Sequence, residues 1–359
     1  MKKLWQNKTT RTNLITYLVV TVAFAVMQIL SATGLLGSAM KGYLVPVCAY
    51  IVMAVSLNLL VGICGELSLG HAGFMGIGAF TGIILAEVLK TSVPDASLRL
   101  LIIMFVGGIV AGIFGFLIGI PALRLRGDYL AIVTLAFGEI LKNIIGNLYV
   151  GLDTDGLHMS VSSAKFELLD GGKMILDGPL GATGITKISS FTMGFILILF
   201  TLFVVLNLIN SKEGRAIKAI RDNRIAAESV GINVTAFRMK AFVVSAFLAG
   251  MAGVLFGLNM SSMTASKFNF NTSINILVFV VLGGMGNILG SVISATVLYI
   301  LPEAMRELED YRMILYAVVL ILVMLFTWSP KVKGFVQAAP EMIRERFAKN
   351  KKKEAGTNE

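Results

Sequence analysis

Apolar stretches of about 20 residues, the length a helix needs to cross a bilayer, recur along this chain from end to end. They cover 14–36, 43–63, 67–89, 98–120, 129–150, 190–210, 238–260 and 312–328. One further apolar stretch, 273–301, is interrupted by glycines. Of 359 residues, 56% are hydrophobic and only 14% are charged. That is too little charge to hold a domain of this size in water. The expected fold class is all-α, a polytopic transmembrane helical bundle of about 8–10 spans, with a single membrane domain over 1–330 and a basic tail over 331–359.

Charge orients the bundle. Basic residues of short loops mark the cytoplasmic side. Here they gather at Lys2, Lys3, Lys8 and Arg11, at Arg124 and Arg126, in the 212–240 loop, and between Lys331 and Lys353. The 151–189 segment instead carries Asp153, Asp155, Glu167, Asp170 and Asp177 against Lys165, Lys173 and Lys187. With the N-terminus inside, five spans place 151–189 outside and six place 212–240 inside, so the count and the charges agree. The first apolar run is too long for a signal-peptide core and reads as a first span. The expected location is a bacterial-type cytoplasmic membrane, with both termini in the cytoplasm. The net charge of +10 is thereby topological, with some added attraction to anionic lipid. It does not point to nucleic acid.

Both 212–240 and the tail read as cytoplasmic, so an even number of crossings must separate them. The 273–301 stretch is therefore re-entrant or forms two short crossings. Its core, Leu282-Gly-Gly-Met-Gly-Asn-Ile-Leu-Gly290, either lines a pathway, with Gly283, Gly284 and Gly286 at its centre, or packs closely on a neighbouring helix. Irregular backbone at membrane depth is tolerated only inside protein or beside water.

Polar residues inside spans are few. Asn58, Glu66, Ser68 and His71 lie in the glycine-dense connection between the second and third spans, where a lone His serves structure or, less commonly, a ligand. Glu139 and Lys142 lie three residues apart on one helical face. They either pair structurally or line a hydrated path, because neither suits lipid. Cys48 and Cys64 have no disulfide or metal spacing, and no metal site is expected. There is no HExxH, Gly-x-Ser-x-Gly or P-loop sequence. The chain is not expected to be an enzyme, and ATP-driven work would come from a partner.

Between spans lies a basic, amphipathic segment, Gly214–Gly231. Ala216, Ile217, Ala219, Ile220, Ala226, Ala227 and Val230 recur at helical spacing. Arg215, Lys218, Arg221, Asp222, Arg224 and Glu228 occupy the polar faces, and Gly231 suits a helix C-terminus. Such a segment either rests on headgroups or is presented to a soluble partner.

The segment resembles the cytoplasmic loop of ABC importer permeases, and more closely that of the permeases of branched-chain amino-acid importers, the LivM type. Three further blocks are similar to the same family: Leu67–Phe80, Leu123–Glu139 and Val281–Gly290. The resemblance implies a helix at about 215–231 that couples to separate ATPase subunits. Of its residues Arg215, Arg221, Asp222, Asn223, Ala226, Ala227, Glu228 and Gly231, Arg221 and Glu228 would supply polar contacts, and Ala226, Ala227 and Gly231 close packing. It also implies a second related permease, two ABC ATPases that bind the ATP and Mg, and an extracytoplasmic substrate-binding protein, with no cofactor held by this chain. The cargo implied is leucine, isoleucine and valine, with urea, short amides or another amino acid as alternatives. A self-sufficient secondary transporter is the competing class, and it would show ionisable sites in several spans. One departure stands in the outer loop. Where the family often has a Thr-Gly-Gly-x-x-Gly turn, this chain reads Leu152-Asp-Thr-Asp-Gly156. The glycines of 168–178 suggest a small hairpin there.

Overall fold

A computed structural model describes residues 8–321, except 35–36, 126, 154–155, 162–171, 306–310, 312–313, 315–316 and 319. The expected span at 312–328 lies largely outside the described residues, and the tail at 331–359 lies wholly outside them. Two compact units separate between Ile300 and Leu301, and the architecture below is that of the first.

Among the described residues, seven segments are long and apolar enough to cross a membrane, and they fall on helices α1 (Lys8–Ala32), α2 (Ser38–Asn58, with the turn that follows it), α3 (His71–Val88), α4 (Ala96–Ala122), α5 (Asp128–Gly146), α6 (Phe191–Asn210) and α9 (Val234–Gly257). The short α7 (Lys212–Asp222) and α8 (Arg224–Ser229) follow α6, and α10 (Phe270–Gly283) and α11 (Ile288–Ala304) follow α9. This is the polytopic helical bundle the apolar runs predict. The Gly-broken stretch resolves into two helices, α10 and α11, joined by a turn at Gly284 and Gly286, whose φ angles are +90° and +84°.

Side-chain caps start several of these helices. Asp95 accepts from the Ser97 amide, Asn233 from Ala236 and Asn269 from Thr272. Each cap satisfies an otherwise orphaned N–H.

The core is a seam of backbone against backbone. A Cβ placed on Gly78 of α3 would lie 2.0 Å from the Gly250 carbonyl oxygen of α9, and one on Gly253 would lie 1.9 Å from the Met75 carbonyl oxygen. Missing side chains allow this approach where water supplies no drive between helices.

The second and third spans do not meet at a simple bend. The end of α2 widens into a π-helical turn, Leu59–Cys64, and an irregular segment over 65–70 then leads to α5. Gly70 sits against Thr134 and Gly138, well inside α5, and the Leu69 amide donates to Thr134 Oγ1 at 3.1 Å. Helix α3 thus begins part-way along the bundle. So does α10, whose first amide meets Glu139. The two N-termini touch, with the Ala72 amide donating to Ser273 Oγ at 3.1 Å.

At the end carrying the acidic segment, β1 (Tyr149–Asp153), β2 (Gly156–Ser160) and β3 (Lys173–Asp177) form an antiparallel sheet in the order β2-β1-β3. The expected hairpin over 168–178 is corrected in its described half, because Lys173–Asp177 pairs with β1. Residues 168–171 lie outside the described residues. A second pairing joins β4 (Ala182–Thr183) to β5 (Ser262–Met263).

Candidate functional site: the basic end of the bundle

The basic segment is two helices, not the single one its periodicity suggests. Asn223 is extended, with φ −156° and ψ 103°, and its side chain accepts from the Ala226 amide at 3.0 Å. An Asn side chain competes well for backbone donors outside a helix, so it ends α7 and starts α8. Ile220, Ala227 and Val234 close into a small core, with Ile232 and Phe237 packed against it. Gly231 ends α8 with φ +83°, a conformation cheap only for glycine.

This core fixes what the knob presents. Ala227 is buried, which leaves Ala226 outside together with Arg215, Asp222 and Glu228. Ile225 and Val230 are 80% and 74% exposed. The sequence pattern counted Val230 as part of an apolar stripe and passed over Ile225, although isoleucine at a helix start in a polar loop was the available signal. Glu228 pairs with Arg224 at 3.1 Å, one helical turn apart.

Arg221 stays exposed but reaches back to the bundle with one nitrogen. Its Nη1 donates to the Gly62 carbonyl oxygen at 2.8 Å, while its other nitrogens hold Asp222 Oδ1 at 3.0 and 3.2 Å. Gly65 lets the arginine pass, since a Cβ there would lie 2.7 Å from Arg221 Cγ. Arg238 bridges Glu66 at 2.5 Å and donates to the Leu123 carbonyl oxygen at 3.2 Å. Burial pushes the Glu66 carboxyl above the ordinary glutamate range, and the Arg238 guanidinium beside it pulls only part of the way back. Gly65, Glu66, Arg221 and Arg238, with Cys64, Gly127, Ile220 and Arg224, line a cup open to the surface.

Asn58 joins the same cluster to the glycine turn. Fully buried, it donates to the Asn287 carbonyl oxygen at 3.1 Å and to Ser291 Oγ at 2.7 Å, and it accepts from the Gly286 amide at 2.8 Å. Gly283 and Gly290 approach so closely that a Cβ on Gly283 would lie 2.6 Å from the Gly290 carbonyl. Asn58, Glu66, Arg221 and the three turn glycines therefore gather at one end.

His71, Glu139 and Lys142 lie deeper. His71 is fully buried, with Nε2 2.9 Å from Ser56 Oγ and Nδ1 without a hydrogen-bond partner. Glu139 pairs with Lys142 and accepts from the Phe270 amide at 3.1 Å. Among the described residues, no three His, Cys, Asp or Glu side chains gather as a metal set.

Residues 39–326 match the family described as "Branched-chain amino acid transport system / permease component". The chain belongs to this permease family. Among its relatives, the LivM permeases of the high-affinity branched-chain amino acid transport systems of Salmonella typhimurium and Escherichia coli are each 33% identical over 296 residues, covering 79% of this chain and 67% of theirs. The LivH permease of Salmonella typhimurium is 26% identical over 284 residues, covering 77% of this permease and 88% of that one. No solved structure matches the permease.

Proposed function

We propose that this permease is the membrane-spanning subunit of an ATP-driven importer that moves leucine, isoleucine and valine into the cytoplasm. Its partners would be a second related permease, two ABC ATPases that bind ATP and Mg, and an extracytoplasmic substrate-binding protein. The basic end faces the cytoplasm in this reading, as the charge pattern requires. The 151–189 segment faces outward, where the binding protein docks.

One observation carries the proposal. The α7–α8 knob exposes Ile225, Ala226 and Val230 to a partner while Arg221 on the same knob grips the Gly62 carbonyl. A docking surface and a lever are thus one rigid piece. Closure of the ATPases on ATP would move the knob, and Arg221 would carry that movement to the π-helical end of α2. Asn58 would then pass it to the Gly284–Gly286 turn. An isolated amphipathic linker lying on headgroups would need neither connection.

The test is purification of the tagged permease from mildly solubilised native membranes, with the companions identified by mass spectrometry. Two P-loop ATPases, a sister permease and a binding protein that takes leucine are expected. Recovery of intact permease alone, with transport driven by an ion gradient, would overturn the reading.

A further inference from the structure

A hydrogen bond to α5 marks where α10 begins. The Phe270 amide, at the first position of that helix, donates to Glu139 Oε1 at 3.1 Å, so α10 starts beside the middle of α5, which runs from Asp128 to Gly146. Asn271 and Asn275, one turn apart on α10, are exposed, and so is Asn143 on α5. The Glu139 and Lys142 side chains keep 34% and 22% of their surface open. Both helices are apolar elements of membrane type, one a full span and one shorter.

The exposed side of α5 mixes Ile132, Ile140 and Ile144 with Glu139, Lys142 and Asn143, whereas the exposed face of α4 presents Leu101, Phe105, Ile109 and Phe116. That face suits acyl chains. The polar strip of Glu139, Lys142 and the asparagines on α5 and α10 does not, since a charge near the bilayer centre costs about 2.5–3.5 kcal/mol on insertion scales. Nor can this carboxylate reach out toward the headgroups, because Lys142 and the Phe270 amide both hold it.

We propose that this face of α5 and α10 is one wall of the water-filled path taken by the amino acid, closed on its far side by the second permease. The inference rests on the importer reading above. Its chemistry matches a zwitterion. Glu139 and Lys142 offer both signs of charge within one helical turn. The asparagine amides offer donors and acceptors without net charge. Together they replace the hydration shell of an ammonium and a carboxylate passing side by side.

The test uses the assembled importer in lipid. ATP-driven leucine uptake by the unaltered assembly is measured first. Cysteines are then placed singly at Asn143, Asn271 and Asn275, with Phe105 and Phe116 as controls on α4. The native Cys48 and Cys64 are buried and set the background. A water-soluble, thiolate-specific reagent labels only where water sustains the thiolate, so the asparagine positions are expected to react about tenfold or more faster than the controls. A second measurement needs no substitution: hydroxyl radicals generated from water should oxidise Phe270 faster than Phe105 or Phe116, although Phe270 is the least exposed of the three, at 37%. Uptake with equal labelling and equal oxidation would overturn this inference alone. Absence of ATP-driven uptake by the unaltered assembly would overturn the importer reading and this inference with it.

Discussion

Arg221 Nη1 and the Gly62 carbonyl oxygen meet at 2.8 Å across 159 residues of chain. The bond joins the knob between α6 and α9 to the irregular end of α2. A charge-assisted hydrogen bond is worth about 1.5–3 kcal/mol, enough to shift a two-state equilibrium about tenfold or more. Arg221→Ala should therefore lower leucine uptake by about tenfold or more while the ATPases still co-purify. Uptake at the wild-type level would remove Arg221 from the coupling route.

Ile225 and Val230 should act in the opposite sense. Exposed apolar side chains at the centre of an interface carry much of its energy, and neither residue supports the fold of the knob. Ile225→Asp with Val230→Asp is expected to weaken ATPase co-purification by about tenfold or more, leaving the thermal stability of the permease in detergent within about 0.5 kcal/mol of wild type. A large drop in stability would show that these side chains hold the knob together and do not present it.

Asn58→Leu removes three hydrogen bonds at once and strands the Gly286 amide, while the Asn287 carbonyl and the Ser291 hydroxyl keep each other as partners. The expected cost is about 1–3 kcal/mol, the penalty for one stranded buried group. Chemical denaturation in detergent measures it. Limited proteolysis should show new cleavage near Met285, which is already exposed.

Glu66 gives a pH dependence of unusual sign. Its folded pKa is raised by burial. Between the ordinary glutamate value and the raised one, the folded chain holds a proton that the unfolded chain has released. Stability from this group therefore falls as pH rises through that window and is regained on acidification. A carboxylate with a depressed pKa behaves in reverse. Glu66→Gln should flatten this part of a plot of Tm against pH, and an unchanged slope would rule Glu66 out as its source.

Much of the bundle was legible because a membrane leaves few options. Runs of apolar residues such as 98–120 could only be spans, and the glycines of 282–290 announced a break. The Glu139–Lys142 pair was readable because it is local, three residues apart on one helix. What stayed hidden was non-local. Nothing near Arg221 in sequence points to Gly62, and nothing near Glu139 points to the Phe270 amide. The strand pairing of Lys173–Asp177 with Tyr149–Asp153 depends on the same kind of long-range closure. The division of the basic segment at Asn223 was a local signal outweighed by the helical spacing on either side. The inward turn of Ala227 came from packing against Val234, across a glycine whose conformation sets the direction of the chain.

The glycine seam constrains how this protein can move. Where Gly78 lies on Gly250 and Gly253 on Met75, the contact is between main chains, which have no rotamers to exchange and no slack to take up. Helices α3 and α9 must then travel as one block. Main-chain contacts of the same kind tie Gly62 to Gly286 and Gly70 to Thr134, so the irregular segments at 59–64, 65–70 and 284–286 are fastened to their neighbours as well. A push on the α7–α8 knob would then reach α3 and α9 as a displacement of that whole block, with little of it lost to bending on the way.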